Sequence, residues 1–274
     1  MSSPPERDGA AGAPRPPDFV GVGASGSGIA WWHSLLLAHP EIAPARGRRR
    51  ALHFFDEFCA RELTGGDVAA YCEQFPHRPG KLRGEWTGRY MADAWTPPLL
   101  RRAAPDAKLL MLLSDPIERY RAVFGARHAG GRRFYMGDVV DRRSFGAQLA
   151  RLQRFFDPAQ ILVLQYERCR RDPLGQYRRT LEFLGVRDTA FAPLRLRGVP
   201  EPRGVAALLR RGRRRRAAER LAGRPLTEPD PTPLWPDLET ALHTALEPDV
   251  EALRALVPEL DVALWPNFTH LAAR

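Results

Sequence analysis

Three features of the sequence predict a single α/β domain, with a central, mostly parallel sheet flanked by helices. Short apolar runs of strand length alternate with segments whose apolar residues recur at helical spacing. The first run, Phe19-Val20-Gly21-Val22, passes through Gly23-Ala24-Ser25-Gly26-Ser27-Gly28 straight into an apolar helical segment. Polar residues also collect where the runs end, the edge at which open parallel sheets bind ligands.

The elements follow in order. Ile29 to Ala38 reads as a helix, and His39-Pro40-Glu41-Ile42 as its stop and a turn. Arg46 to Arg50 is a basic connector, and Ala51 to Asp56 a short buried strand ending in polar residues. Asp67 to Phe75 is a helix closed by Pro76; Lys81 to Glu85 is a strand, with Trp86 to Tyr90 the loop after it. Pro97 to Ala104 suits a short helix. Lys108 to Leu113 is the most hydrophobic strand, ending at Ser114-Asp115-Pro116, and Ile117 to Arg127 is the next helix. Ser144 to Phe156 places Phe145, Leu149 and Leu152 on one helical face before Asp157-Pro158 stops it. Ile161 to Leu164 is a strand, and Pro173 to Leu184 a helix opened by Asp172-Pro173 and closed by Gly185. Residues 191 to 236 are rich in proline and arginine and read as irregular; Leu238 to Leu256 returns to helix, broken near Pro248. The chain ends with Leu264-Trp265-Pro266-Asn267-Phe268 ahead of six more residues.

Composition narrows the function classes. The 274 residues are 44% hydrophobic, enough for a substantial core, and carry a net charge of +10. Much of the excess is arginine, in Arg46 to Arg50 and Arg210 to Arg216, and no nucleic-acid recognition motif accompanies it. Three cysteines, Cys59, Cys72 and Cys169, form no CxxC pair. That argues against a disulfide framework and a structural zinc site, and suggests a reducing cytoplasm. No metal ligand set stands out, and no run approaches membrane-spanning length. Residues 1 to 17 lack an apolar signal-peptide segment and read as a disordered tail before a domain from 18 to 274.

The strand, Gly/Ser turn and helix from Asp18 to Pro40 have the build of an anion site. Glycines let the backbone approach an anion, and the first amides of the helix point at it. The turn is neither a Walker A loop, lacking Gly-Lys-Ser/Thr, nor a complete dinucleotide fingerprint. A plain strand-to-helix turn fits the same residues. On the expected sheet edge it meets His53 and Asp56, Glu85, and Ser114-Asp115-Pro116.

Taken in order, these blocks resemble the sulfotransferases that use 3′-phosphoadenosine 5′-phosphosulfate, nearest to the bacterial and carbohydrate-type branch, from Phe19 to Phe268. The phosphosulfate loop corresponds to Gly21 to Gly28, and the Lys-Glu-x-His-Phe-Phe-Asp block to Arg50-Ala51-Leu52-His53-Phe54-Phe55-Asp56. Gly-Glu-x-Thr-Pro-x-Tyr corresponds to Gly84 to Tyr90, and Leu-Leu-Arg-Asp-Pro-x-Glu-Arg to Leu112 to Arg119. Leu162 to Glu167 and Phe183 to Val186 look like the later strand and helix end. The resemblance implies a P-loop-like parallel sheet and a carbohydrate, glycolipid or small-molecule acceptor, with neither metal nor nucleic acid. The sequence departs from the pattern at Ala24 (a family Lys or Arg), Ala51 (Glu), Gly88 (Pro), Ser114 (Arg) and Ala122 (Ser). Two readings therefore stay open, an active sulfotransferase and a weak or inactive relative that binds a nucleotide or partner.

Sulfuryl transfer, like phosphoryl transfer, asks the protein mainly to align the reactants, take a proton and stabilise charge on the leaving phosphate. The resemblance puts Ala24, Ser25, Gly26, Ser27, Gly28 and Ile29 on the 5′-phosphosulfate, with Arg50 a candidate cation. It puts Ser114, with Arg121 or Arg127, on the 3′-phosphate. His53 is the expected general base, imidazole being suited to proton transfer near neutral pH. Asp56 orients it and Glu85 assists. Asp115 is expected to cap a helix rather than react. One of Trp31 and Trp32 is expected in the core, and Trp86 to form an acceptor wall.

Overall fold

The computed structural model describes residues 14–48, 51–121, 144–187 and 236–273. Most of the expected N-terminal tail, Arg49, Arg50, Ala122, Arg127, almost all of the 191 to 236 segment and the Arg210 to Arg216 run lie outside the described residues.

Among the described residues, five parallel strands form one sheet in the order β2-β3-β1-β4-β5. They are β1 (Phe19–Gly23), β2 (Ile42–Pro44), β3 (Leu82–Trp86), β4 (Lys108–Leu113) and β5 (Ile161–Gln165). The helices are α1 (Ile29–Leu36), α2 (Gly65–Cys72), α3 (Thr96–Ala103), α4 (Phe145–Gln153), α5 (Tyr166–Arg171), α6 (Pro173–Leu184) and α7 (Pro236–Leu256), with residues 116–121 also helical. Central strands buried on both faces need apolar residues at every position. In β4, Leu109, Met111 and Leu113 join a core with α3, α4 and α7, whereas Leu110 and Leu112 face a second core with α1 and α6. Trp32 is buried and Trp31 only half-buried, as adjacent positions on a helix require.

Three expectations are corrected. The second strand is Ile42–Pro44, paired with β3 from Ile42 opposite Leu82, and not Leu52 to Phe54. Residues 51–53 form no ladder because their neighbourhood supplies side-chain acceptors instead. The Leu52 amide donates to Glu85 Oε2 and Thr87 Oγ1, that of His53 to Thr87 Oγ1, and that of Phe54 to Tyr90 Oη. His53 also has φ 54°, a left-handed conformation that a strand excludes. Trp86 belongs to β3, not to a loop; it is buried, and its indole N–H donates to the Gly23 carbonyl at 3.1 Å. Lastly, α7 continues through Pro248. A proline removes one helical hydrogen bond and crowds the preceding turn. Here Leu242, Leu246, Val250 and Leu253, spaced on both sides of it along one face, are all buried in the first core.

Candidate functional site

The Gly23–Gly28 turn is held from three sides. Ala24 donates to the Leu112 carbonyl of β4 at 2.9 Å, and Ser25 to the Gly88 carbonyl beyond β3 at 3.0 Å. Arg119 Nε, on the helical stretch after β4, donates to the Ser25 carbonyl. Gly28 is left-handed at φ 83°, and a Cβ there would lie 2.5 Å from the Tyr166 ring, so only glycine fits. Among the described residues, no backbone carbonyl accepts from the amides of Gly26, Gly28 or Ile29. With no acidic residue in the first turn of α1, the helix dipole leaves this end positive. Ser27 is fully buried, and Ser114 Oγ donates to its hydroxyl at 3.0 Å. The two serines expected to serve opposite ends of one nucleotide are therefore in contact.

The second part of the site is the 51–56 loop. His53 is exposed, and its Nδ1 lies 3.1 Å from Asp56 Oδ2. With the proton on Nδ1 directed at the carboxylate, Nε2 is left as the basic nitrogen. Glu85 lies beneath the loop, fully buried. Thr87 Oγ1 donates to its Oε2, the Leu52 amide donates to the same oxygen, and Tyr71 Oη donates to Oε1 at 3.2 Å. Burial pushes its carboxyl above the ordinary range, against the pull of bonds from Thr87, Leu52, Tyr90 and Tyr71. Burial likewise raises the phenols of Tyr71 and Tyr90. Glu85 thus shapes the backbone beneath His53. Its partners are not legible in the sequence, where Tyr71 is one position within the helix expected from Asp67 to Phe75.

Residues 87 and 88 join the two parts. Thr87 accepts from the His53 amide at 3.3 Å, and the Gly88 carbonyl accepts from Ser25. A side chain at 88 would collide with Ile29 Cδ1 and Ser25 Oγ, at 2.6 and 2.7 Å, so glycine here lets the strand end reach the turn.

At the ends of β4 and β5 lies a carboxylate cluster. Asp115 Oδ1 accepts from the amides of Ile117 and Glu118 as an N-cap, and Oδ2 from the amide and Nδ2 of Asn267. This is the capping role expected of it. Glu167 accepts from the Asp115 amide and from Trp265 Nε1, and burial raises its carboxyl to about 7. Arg121 is paired with Glu239 at 2.9 Å and Glu118 at 3.6 Å. Its charge is thereby engaged by carboxylates. Among the described residues, no three His, Cys, Asp or Glu side chains converge as a metal site would need, and no helix is long and apolar enough to cross a membrane.

Residues 53–190 match the sulfotransferase family. The chain belongs to that family. The matched span begins at His53 and takes in Glu85, Ser114 and Arg119; the Gly/Ser turn precedes it. Membrane-associated sulfotransferase kil1 of Dictyostelium discoideum is 32% identical over 104 residues, 38% of this chain and 21% of that protein. Heparan sulfate glucosamine 3-O-sulfotransferase 6 of Homo sapiens is 26% identical over 212 residues, 68% of this chain and 59% of that protein. The matches thus span about a fifth and three-fifths of these relatives' lengths. Two solved structures share the fold. The sulfotransferase from Alicyclobacillus acidocaldarius has 20% identity and a TM-score of 0.61, covering 90% of this chain and 98% of that one. Mouse sulfotransferase SULT7A1 complexed with PAP has 12% identity and a TM-score of 0.52, covering 93% and 89%.

Proposed function

We propose that this protein transfers a sulfuryl group from 3′-phosphoadenosine 5′-phosphosulfate to a hydroxyl or amine of a carbohydrate, glycolipid or small natural product. The observation that carries this reading is the junction at Thr87 and Gly88, which ties the loop bearing His53 to the anion turn. A base and an anion site fixed to one strand end meet the main demand of in-line transfer, the alignment of acceptor, sulfur and leaving phosphate. The amides of Gly26, Gly28 and Ile29, with the dipole of α1, bind the 5′-phosphosulfate and stabilise charge on the leaving phosphate. Ala24 contributes backbone, and Ser25 and Ser27 hydroxyls. Ser114 acts beside the nucleotide through Ser27. Arg121 reaches the 3′-phosphate only by exchanging its Glu118 and Glu239 partners for it. His53 Nε2 takes the acceptor's proton, Asp56 orients the ring, and Glu85 holds the loop. The domain runs from 18 to 274, and the free cysteines favour a reducing cytoplasm.

Support for the donor comes from the family and from PAP in the mouse structure; support for a carbohydrate acceptor comes from the human relative's name. A second reading, binding with little transfer, is favoured by Ala24, which is buried and leaves the turn itself without a cation. Calorimetry with 3′-phosphoadenosine 5′-phosphate should show 1:1 binding, and a sulfate-transfer assay over a panel of sugars and phenols should then show turnover. Binding without turnover on any acceptor selects the second reading; no binding overturns both.

A further inference from the structure

We propose that Arg119 is a positioning residue that sets the direction of the Gly26 amide and supplies a fixed positive charge behind the turn, across that peptide from the 5′-phosphate, a role that rests on the reading above. Residues 23 to 29 contain no charged side chain, and the position expected to hold a turn lysine or arginine is Ala24. Arg119 is 6% exposed, and its Nε bonds to the carbonyl of Ser25. That carbonyl belongs to the same peptide unit as the Gly26 N–H. In a trans peptide the two groups point in opposite directions, so holding the oxygen on one side directs the N–H to the other. A charged donor on the oxygen also polarises the peptide and strengthens the N–H as a donor.

The arginine is itself held in place. Its amide donates to the Asp115 carbonyl at 2.9 Å, in the helical stretch that Asp115 caps. Its guanidinium carbon lies 5.4 Å from the centroid of the Phe145 ring on α4, within cation–π range. A lysine in the turn would offer a mobile point charge. An arginine arriving from the neighbouring strand's helix offers a charge fixed by three elements, which a buried, planar guanidinium tolerates better than an ammonium.

The test compares two nucleotides that differ only in the 5′-phosphate, 3′-phosphoadenosine 5′-phosphate and 3′-AMP, by calorimetry on the full chain. In Arg119→Met the affinity for the bisphosphate should fall by about tenfold, the order expected for a lost charge-assisted hydrogen bond, while 3′-AMP binding changes less than about twofold. Arg119→Lys should recover part of the loss, and it carries the test if the methionine variant does not fold. Equal weakening of both nucleotides, or no change in either, overturns the proposal. Hydrogen exchange at Gly26, an exposed residue, supplies a readout without ligand: slower base-catalysed exchange in Arg119→Met, as the loss of the polarising cation requires, supports the proposal, and unchanged or faster exchange overturns it. Wild-type protein that binds neither nucleotide refutes the functional reading, and the exchange arm then decides the role of Arg119 alone.

Discussion

His53 holds a left-handed backbone conformation, φ 54°, that costs a non-glycine residue roughly 1 kcal/mol. The surroundings enforce it: its amide and those of its neighbours are bound to Thr87, Glu85 and Tyr90, and its ring to Asp56. Strain kept at an exposed residue is what a proton-transfer role would explain. Two variants separate backbone from side chain. His53→Ala and His53→Gly should both lower turnover by about 10²–10⁴, the usual worth of a general base, with binding of 3′-phosphoadenosine 5′-phosphate nearly intact. In urea unfolding, His53→Gly should be about 1 kcal/mol more stable than His53→Ala, since glycine alone is unstrained there. Full turnover in either variant moves the base elsewhere. At this scale the sequence disclosed residue types but not posture. His53 and Asp56 are legible as partners because they stand three positions apart. Tyr71, Thr87 and Tyr90 converge on Glu85 only through the fold.

Elements here are fixed by partners far along the chain. Ser144 stands at the N-cap of α4 without a side-chain capping bond. The cap comes from α7: Asp249 Oδ2 accepts from the Gly146 amide and Oδ1 from that of Ala147, both at 2.9 Å. The helices can approach this closely because a Cβ at Gly146 would lie 2.6 Å from the Asp249 carbonyl. Burial raises the Asp249 carboxyl, while these amide bonds lower it. Asp249→Ala strands two helix-end donors and should cost about 2 kcal/mol in urea unfolding, within the range for lost caps and unsatisfied amides. A loss below about 0.5 kcal/mol would mean that water replaces the carboxylate. Periodic segments such as Pro173 to Leu184 were legible because cap, apolar spacing and terminal glycine all lie within the element. β2 was not, since three residues ending in proline carry no periodicity. Pro248 misled because a breaker is local, whereas the packing that overrides it is tertiary.

Across the whole molecule, the chain after α7 returns to the carboxyl ends of β4 and β5 and fastens there. Asn267 donates twice to Asp115, Trp265 Nε1 donates to Glu167 at 2.9 Å, and Gln165 exchanges hydrogen bonds with the backbone of Asp261. The sequence displays Asp115 as a cap, but not this closure, because about 150 residues separate it from Asn267. Two buried carboxyls, one of them bonded to the other residue's amide, make the closure sensitive to pH. Burial raises both, Glu167 from 4.5 to about 7. Between those values the folded state holds more protons than the unfolded one, so stability must fall as pH rises through the window. For Glu167 alone the fall is at most about 3 kcal/mol. Asp67, held low first by Arg61 and then by Thr64, has the opposite sign, but its effect lies below about pH 4 and does not overlap. Urea unfolding at pH 5, 6, 7 and 8 should therefore show wild-type stability declining with pH, and a visibly flatter profile in Glu167→Gln. The glutamine places an amide group against one of the two N–H donors, which lowers the whole curve but leaves its slope free of this titration. Parallel slopes in the two proteins would assign the pH dependence to another group.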